Sequence, residues 1–153
     1  MKRFFAAVLA ALAALCFPAC AAQIKQPSEE AEGDFLMKAE VTVNGQKFSA
    51  SLAENETARA FAAKLPLTLE MRELNGNEKY FYLQEDLPAQ AARPGRIEAG
   101  DIMLYGSSCI VLFYESFSTS YSYTRIGKID DAAGLASAAG TAAATVTFAL
   151  AGG

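Results

Sequence analysis

The chain has no histidine and no tryptophan, and only three cysteines among its 153 residues. Without histidine there can be no Ser-His-Asp triad, no Cys-His pair and no histidine-ligated metal ion. The segment Gly106-Ser107-Ser108 lacks the spacing of a nucleophile elbow, and no glycine-rich loop is arranged to hold a phosphate group. The sequence therefore predicts no catalytic residue, no metal site and no cofactor.

The cysteines are too few and too scattered for a disulfide framework. Cys16 falls in an apolar leader, and Cys20 is expected to be either removed with that leader or lipidated, which leaves Cys109 alone. A nucleophilic thiol needs a nearby base or cation to lower its pKa. We therefore interpret Cys109 as a small buried apolar residue.

Basic residues are in the minority, with 13 Lys and Arg against 17 Asp and Glu. Lys2 and Arg3 are the only charged residues among the first 22, so the rest of the chain carries 11 basic and 17 acidic residues. An acidic domain repels phosphate backbones, so the charge balance predicts no nucleic-acid partner.

The first 22 residues have the organisation of a bacterial export signal. Lys2-Arg3 is followed by the apolar run 4–15, which is too short to span a bilayer. Two cleavage sites compete. Ala19-Cys20-Ala21 fits a small-x-small site with release before Ala22, whereas Phe17-Pro18-Ala19-Cys20 is a degenerate lipobox that would leave Cys20 as a lipid anchor.

An acidic stretch, residues 23–36, follows the leader and contains proline and serine. This composition is typical of a flexible, solvated tether. The sequence therefore predicts a periplasmic or envelope-anchored domain that touches the membrane only through a lipid on Cys20. The domain itself is expected over residues 37–151.

The opening of the domain predicts a hairpin and a helix. Two alternating runs flank Asn44-Gly45, the strongest short-range hairpin signal. Asn55 then has the position of a helix N-cap, and apolar residues follow at helical spacing until Pro66. Further alternating runs at 67–71 and 78–83 predict two more strands.

The densest apolar and aromatic stretch, residues 100–131, follows a polar loop at 88–95. It predicts two strands around the turn at 106–108, the second apolar on both faces and therefore central. Residues 116–122 mix hydroxyls with aromatics, as expected of a loop or irregular edge strand. A further strand at 123–129 ends at Asp130-Asp131, which we interpret as a cap for a second helix, 132–139, rather than a cation site.

A last strand at 145–150 is expected to pair with the first. About eight strands and two short helices suit a closed antiparallel β-barrel with the helices at its ends, and a β-sandwich is the alternative.

Several segments together carry a family resemblance. They are Val41-Thr42-Val43-Asn44-Gly45, Thr57-Ala58, Leu65-Pro66-Leu67, Leu74-Asn75-Gly76-Asn77-Glu78-Lys79-Tyr80-Phe81, Pro94-Gly95, Gly100-Asp101-Ile102, Tyr105, Phe117-Ser118, the segment 121–131 and Leu135. From about residue 38 to residue 150, the chain resembles the bacterial cyclophilin-like domain family. The resemblance implies a cyclophilin-type barrel and little about activity.

Active cyclophilins isomerise X–Pro bonds with an arginine, phenylalanines, a methionine, a tryptophan and a histidine. This chain lacks the last two, and neither Arg72 nor Arg125 stands in the family's arginine–phenylalanine–methionine–glutamine pattern. The resemblance therefore transfers no catalytic residue to this sequence. A divergent peptidyl-prolyl isomerase remains the alternative function.

Clustered aromatic residues favour a non-catalytic binding module instead. Tyrosine suits a pocket wall because its hydroxyl needs a partner, and alternation places Tyr80 and Tyr82 on one face of a strand and Phe81 on the other. The predicted groove residues are Glu78, Tyr80, Tyr82, Tyr105, Phe113, Tyr121, Tyr123 and Arg125. Arg125 is the predicted clamp for an anion or carbonyl. The ligand would be a peptide or small molecule; a structural role beside another envelope protein is a third reading.

Overall fold

The computed structural model describes residues 35–152. The predicted export signal, Cys20 and most of the predicted tether lie outside these residues. The first strand begins at Phe35, two residues before the predicted start of the domain. Within 35–152, no helix combines the length and the apolar character needed to cross a bilayer.

Residues 35–152 form ten strands and two helices. The strands are β1 (Phe35–Val43), β2 (Gln46–Ala53), β3 (Leu67–Leu74), β4 (Glu78–Tyr82), β5 (Arg96–Ile97), β6 (Asp101–Tyr105), β7 (Cys109–Phe113), β8 (Phe117–Ser118), β9 (Thr124–Ile129) and β10 (Ala144–Leu150), and the helices are α1 (Glu56–Ala62) and α2 (Leu135–Ala139).

Eight of these strands close into an antiparallel barrel in the order β1-β10-β3-β4-β7-β6-β9-β2. The last strand pairs with the first along five residues, from Ala39 with Leu150 to Val43 with Val146. Both the closed barrel and this terminal pairing were predicted, and both are confirmed. The remaining two strands, β5 and β8, form a separate small sheet.

Local turn and capping chemistry explains the first half of the barrel. Asn44 and Gly45 both have positive φ, at 46° and 88°, as a two-residue hairpin turn requires. Asn55 caps α1 as predicted, because its side chain accepts a hydrogen bond of 2.8 Å from the backbone N–H of Ala58.

The barrel interior and one outer face hold two separate apolar clusters. Alternate residues of the strands fill the interior together with buried residues of both helices, and Phe61 of α1 meets Phe148 edge-on at 5.3 Å between ring centroids. Every residue of β7 is buried, which confirms it as a central strand. Its outward residues belong to the second cluster, which β5 and β8 cover.

The predicted start of the second helix is wrong. Helix α2 begins at Leu135 after Gly134, whose φ is 81°, and ends as predicted before Gly140. The Asp131 carboxylate instead accepts a hydrogen bond of 2.9 Å from the backbone N–H of Ala133. Asp131 therefore stabilises a tight turn ahead of the helix, which is the alternative use of an aspartate side chain near the backbone.

Candidate functional site

Strand register brings the predicted aromatic residues together on the outside of the barrel. Cys109 pairs with Tyr82 on one side and with Tyr105 on the other, so these three residues lie at the same level of the adjacent strands β4, β7 and β6. Two residues further along β7, on the same outer face of the barrel, Val111 pairs with Tyr80 and with Met103. Directly paired residues of antiparallel strands project from the same face, so tyrosines far apart in sequence flank one central strand.

A groove of about 500 Å³ runs over this face. It is lined by Leu74, Asn75, Asn77, Glu78, Tyr80, Tyr82, Tyr105, Cys109, Val111, Phe117, Ser118, Thr119, Ser120, Tyr121 and Tyr123. We call this set the aromatic groove. It contains five of the six tyrosines in the chain.

The tyrosine rings meet one another edge-on or tilted. Tyr80 and Tyr82 are 5.9 Å apart between centroids, and Tyr105 lies 6.2 Å from Tyr121 and 5.7 Å from Tyr123. Aromatic pairs are most favourable in such arrangements, which also leave some ring faces free for a ligand.

The small outer sheet supports one wall of the groove. Ile97 of β5 is fully buried and pairs with Phe117 of β8. The backbone N–H of Thr119 donates to the carbonyl of Gly95 at 3.0 Å, and the Thr119 hydroxyl accepts from the N–H of Tyr121 at 3.1 Å. These bonds hold the hydroxyl-rich segment after β8 beside the tyrosines.

Glu78 gives the aromatic groove its charge. Burial raises the pKa of its carboxyl, and the negative charge of Glu73 raises it further. The Glu78 charge also adds to burial in raising the pKa of Tyr123. Among residues 35–152, Glu78 is the one charged residue that lines the groove, and no hydrogen bond or ion pair to its carboxylate is formed there.

Two predicted groove residues do not line it. Phe113 is fully buried beneath the groove, where its ring packs 5.5 Å from Tyr123 and 5.6 Å from Phe117. Arg125 lines a second pocket that adjoins the groove at Tyr123. Its guanidinium donates to the buried carboxylate of Asp101 at 3.1 Å. The structure therefore places the predicted clamp beside Tyr123 but outside the aromatic groove.

Cys109 forms part of the groove floor and is buried, as predicted. Burial raises the pKa of its thiol. A raised pKa disfavours the thiolate, which is the reactive form, so Cys109 contributes an apolar surface rather than a nucleophile.

Sequence reasoning missed part of the groove rim. Asn75 and Asn77 come from the β3–β4 turn, Ser118 ends β8, and Thr119 and Ser120 follow it. The hydroxyl-rich composition of that segment was a usable signal. Asn77 directly precedes the predicted groove residue Glu78, but the sequence of a turn does not show toward which face of the sheet its side chains project.

A buried lysine on the opposite face of β4 was also missed. Lys79 is fully buried, and its ammonium donates to the Glu73 carboxylate and to the carbonyls of Gly140 and Ala142. The Tyr114 hydroxyl donates to the same carboxylate at 2.9 Å. This network ties the β3–β4 hairpin to the loop after α2, one residue from Glu78.

Comparison with known proteins agrees with the barrel topology. The chain is similar to a hypothetical protein from Archaeoglobus fulgidus whose structure was solved in solution, with a TM-score of 0.52 and 23% identity over 78% of this chain and 98% of that one. At that identity the likeness concerns the fold alone. No curated protein matches the chain. The model of the cyclophilin-like family matches residues 41–149, most of the described domain. The chain therefore belongs to the cyclophilin-like family.

Proposed function

We propose that this domain is a non-catalytic binding module whose aromatic groove takes a small molecule or a peptide. The observation that carries the proposal is that the exposed apolar surface of the described domain is concentrated in the aromatic groove. Of the five large hydrophobic residues that are exposed within residues 35–152, four line the groove: Leu74, Tyr82, Tyr105 and Tyr121. Contiguous exposed apolar surface of this kind marks interaction sites in soluble domains.

The exposure of the tyrosines supports the same proposal. Tyr82, Tyr105 and Tyr121 leave 60%, 44% and 62% of their surface exposed, whereas the other aromatic residues whose burial the structure describes are buried or half-buried. Their groove has a volume within the range of about 300–1,000 Å³ that is usual for ligand pockets. Ring faces and hydroxyls in one place suit a ligand with both apolar and polar parts.

Tyrosine fluorescence provides a direct test. The chain contains no tryptophan, so its intrinsic emission comes from six tyrosines, five of them in the groove. We expect compounds from a small-molecule and peptide library to change this emission. Because a lost aromatic contact costs about 1 kcal/mol, Tyr105→Ala should weaken those compounds about five- to tenfold. Calorimetric titration of each compound against both proteins measures the loss.

Leu150→Ala is the matched control, because Leu150 is equally exposed but lies on β10, away from the groove. Affinities should be unchanged in that variant. Compounds that bind Tyr105→Ala as tightly as the original protein would refute binding in the groove.

Peptidyl-prolyl isomerase activity is the second candidate, favoured by the position of Arg125 in a pocket beside the groove. The ion pair with buried Asp101 already engages its guanidinium. We therefore expect no acceleration of prolyl isomerisation in a peptide assay. Acceleration that is lost in Arg125→Ala but kept in Arg72→Ala, which alters an exposed residue of β3, would establish the enzyme.

We also propose that the domain acts after export, in the periplasm or anchored to the envelope through Cys20. The sequence of the leader supports export, and the lipobox-like residues support the anchor. Mass spectrometry of the mature N-terminus separates a lipidated Cys20 from a free chain that begins at Ala22.

A further inference from the structure

We infer that the aromatic groove binds the alkylammonium group of a small organic amine, with Glu78 as the counter-charge and the tyrosine rings around the alkyl part. This inference rests on the proposed binding function and names the class of ligand. It follows from the charge of the groove, from its unpartnered oxygen atoms and from the arrangement of its rings.

The charge of the groove is of one sign. Among its described lining residues Glu78 is the only acid, and there is no lysine or arginine. Glu73, the acidic residue whose charge raises the pKa of Glu78, already has its own cation in Lys79. Glu78 has none, and burial together with Glu73 makes its negative charge unfavourable. A cation in the groove would relieve that cost, whereas an anion would increase it.

A second oxygen atom at the same edge of the groove has no partner. The side-chain oxygen of Asn77 is buried and receives no hydrogen bond within the described residues. An unmet buried acceptor is costly, and both Asn77 and Glu78 line the groove. An ammonium group carries three N–H donors, so it can supply hydrogen bonds to the Glu78 carboxylate as well as charge.

The rings favour the same ligand. A cation near the face of a tyrosine is attracted by the ring quadrupole, and clusters of aromatic side chains recognise quaternary and methylated ammonium groups in this way. Tyr82, Tyr105 and Tyr121 are the exposed rings of the groove. They can cover the alkyl part of an amine while its charged end lies toward Glu78.

The dimensions and the strand pairing favour a small molecule over a peptide. The groove has a volume of about 500 Å³. Its floor strand, β7, is already paired on both sides, by β4 and by β6. An extended peptide therefore finds no free strand edge on the floor with which to form main-chain hydrogen bonds.

Three probes of similar shape and different charge test the inference: phenethylamine, 2-phenylethanol and 3-phenylpropanoate. We expect phenethylamine to bind at least tenfold more tightly than the alcohol, and the carboxylate to bind most weakly. In Glu78→Gln the preference for the amine over the alcohol should fall about tenfold, because the amide keeps the shape and removes the charge. Tyrosine fluorescence and calorimetry measure both ratios.

Controls separate the inference from the proposed function. Glu115→Gln removes an exposed carboxylate outside the groove and should leave the ratios unchanged, and thermal unfolding verifies that each variant is folded. If the alcohol binds as tightly as the amine and both are lost in Tyr105→Ala, the groove binds ligands but the ammonium inference is wrong. The same follows if Glu78→Gln leaves the amine preference intact. If no library compound depends on Tyr105, the proposed function itself fails.

A lysine-containing peptide tests whether the ligand is a small molecule or a protein. A short acetylated and amidated peptide with one central lysine presents the same ammonium group on a protein-like carrier. We expect it to bind no more tightly than phenethylamine. Clearly tighter binding that also depends on Glu78 would overturn the small-molecule assignment in favour of a protein partner.

Discussion

Replacing Lys79 by methionine is expected to destabilise the domain by about 3 kcal/mol, because removing one partner of a buried ion pair leaves the other charge uncompensated. Lys79 is fully buried, and the Glu73 side chain is only 22% exposed. The carbonyls of Gly140 and Ala142 would lose their donor as well. Urea unfolding at neutral pH measures the loss.

An exposed ion pair is the control for this prediction. Lys64 contacts the Glu85 carboxylate at 2.6 Å, but Glu85 is 78% exposed. Solvent screens such a pair, so Lys64→Met should change the free energy of unfolding by less than about 1 kcal/mol. Equal costs for the two substitutions would show that the buried network contributes no special stability. Lys79→Met combined with Glu73→Gln should recover part of the loss.

The same network makes stability depend on pH in a definite direction. Burial opposes ionisation of Glu73, but hydrogen bonds from Lys79, Tyr114 and Gly76 outweigh it and lower the pKa of this carboxyl. A lowered folded-state pKa contributes stability above the unfolded-state pKa, about 4.3 for glutamate. That stability disappears as the pH falls through the folded-state value. The part of the free energy of unfolding that is lost as the pH falls should therefore be smaller in Lys79→Met.

The barrel could be predicted because its signals are local. Asn44-Gly45 dictates a hairpin from two residues alone, and the apolar alternation of the strands requires two faces. The start of α2 could not be predicted in this way. Asp131 can cap a helix or stabilise a turn, and the choice was decided by Gly134, whose left-handed backbone places the helix start after it.

Most residues of the candidate site could be predicted from the sequence, but which of them lie next to one another could not. Strand alternation assigns Tyr80 and Tyr82 to one face, yet only the pairing of both β4 and β6 with β7 places Tyr82 and Tyr105 on either side of Cys109. Arg125 is two residues from Tyr123 in sequence, but the buried carboxylate of Asp101 draws its guanidinium into the next pocket. In the sequence, Lys79 looks like an ordinary solvent-facing strand residue. Its burial could not be predicted, because its partners are supplied by β3 and by the distant loop after α2.

Gly127 lies where β9 pairs with β2, a junction that we call the seam of the barrel. Any larger residue at this position would collide with the backbone of β2. Strands β2 and β9 pair through only three residues each, and Gly127 lies opposite Leu52 in that ladder. A Cβ atom on Gly127 would stand 2.5 Å from the carbonyl oxygen of Ser51 and 3.2 Å from the Cα of Leu52. Neither atom can rotate away, because both belong to the paired strand.

We therefore expect Gly127→Ala to cost about 3 kcal/mol, at the upper end of what overpacking causes. The cost should appear as lost hydrogen-exchange protection along β2 and β9, since the strands must separate to admit the methyl group. Gly106→Ala is the contrasting variant: a Cβ there meets no atom within 4 Å, but φ is 61°, so it should cost only about 1–2 kcal/mol of backbone strain. A Gly127→Ala protein as stable as the original, or one that loses protection elsewhere in the barrel, would contradict this account of the seam. The two glycines thus distinguish a steric requirement between strands from a conformational requirement within a turn.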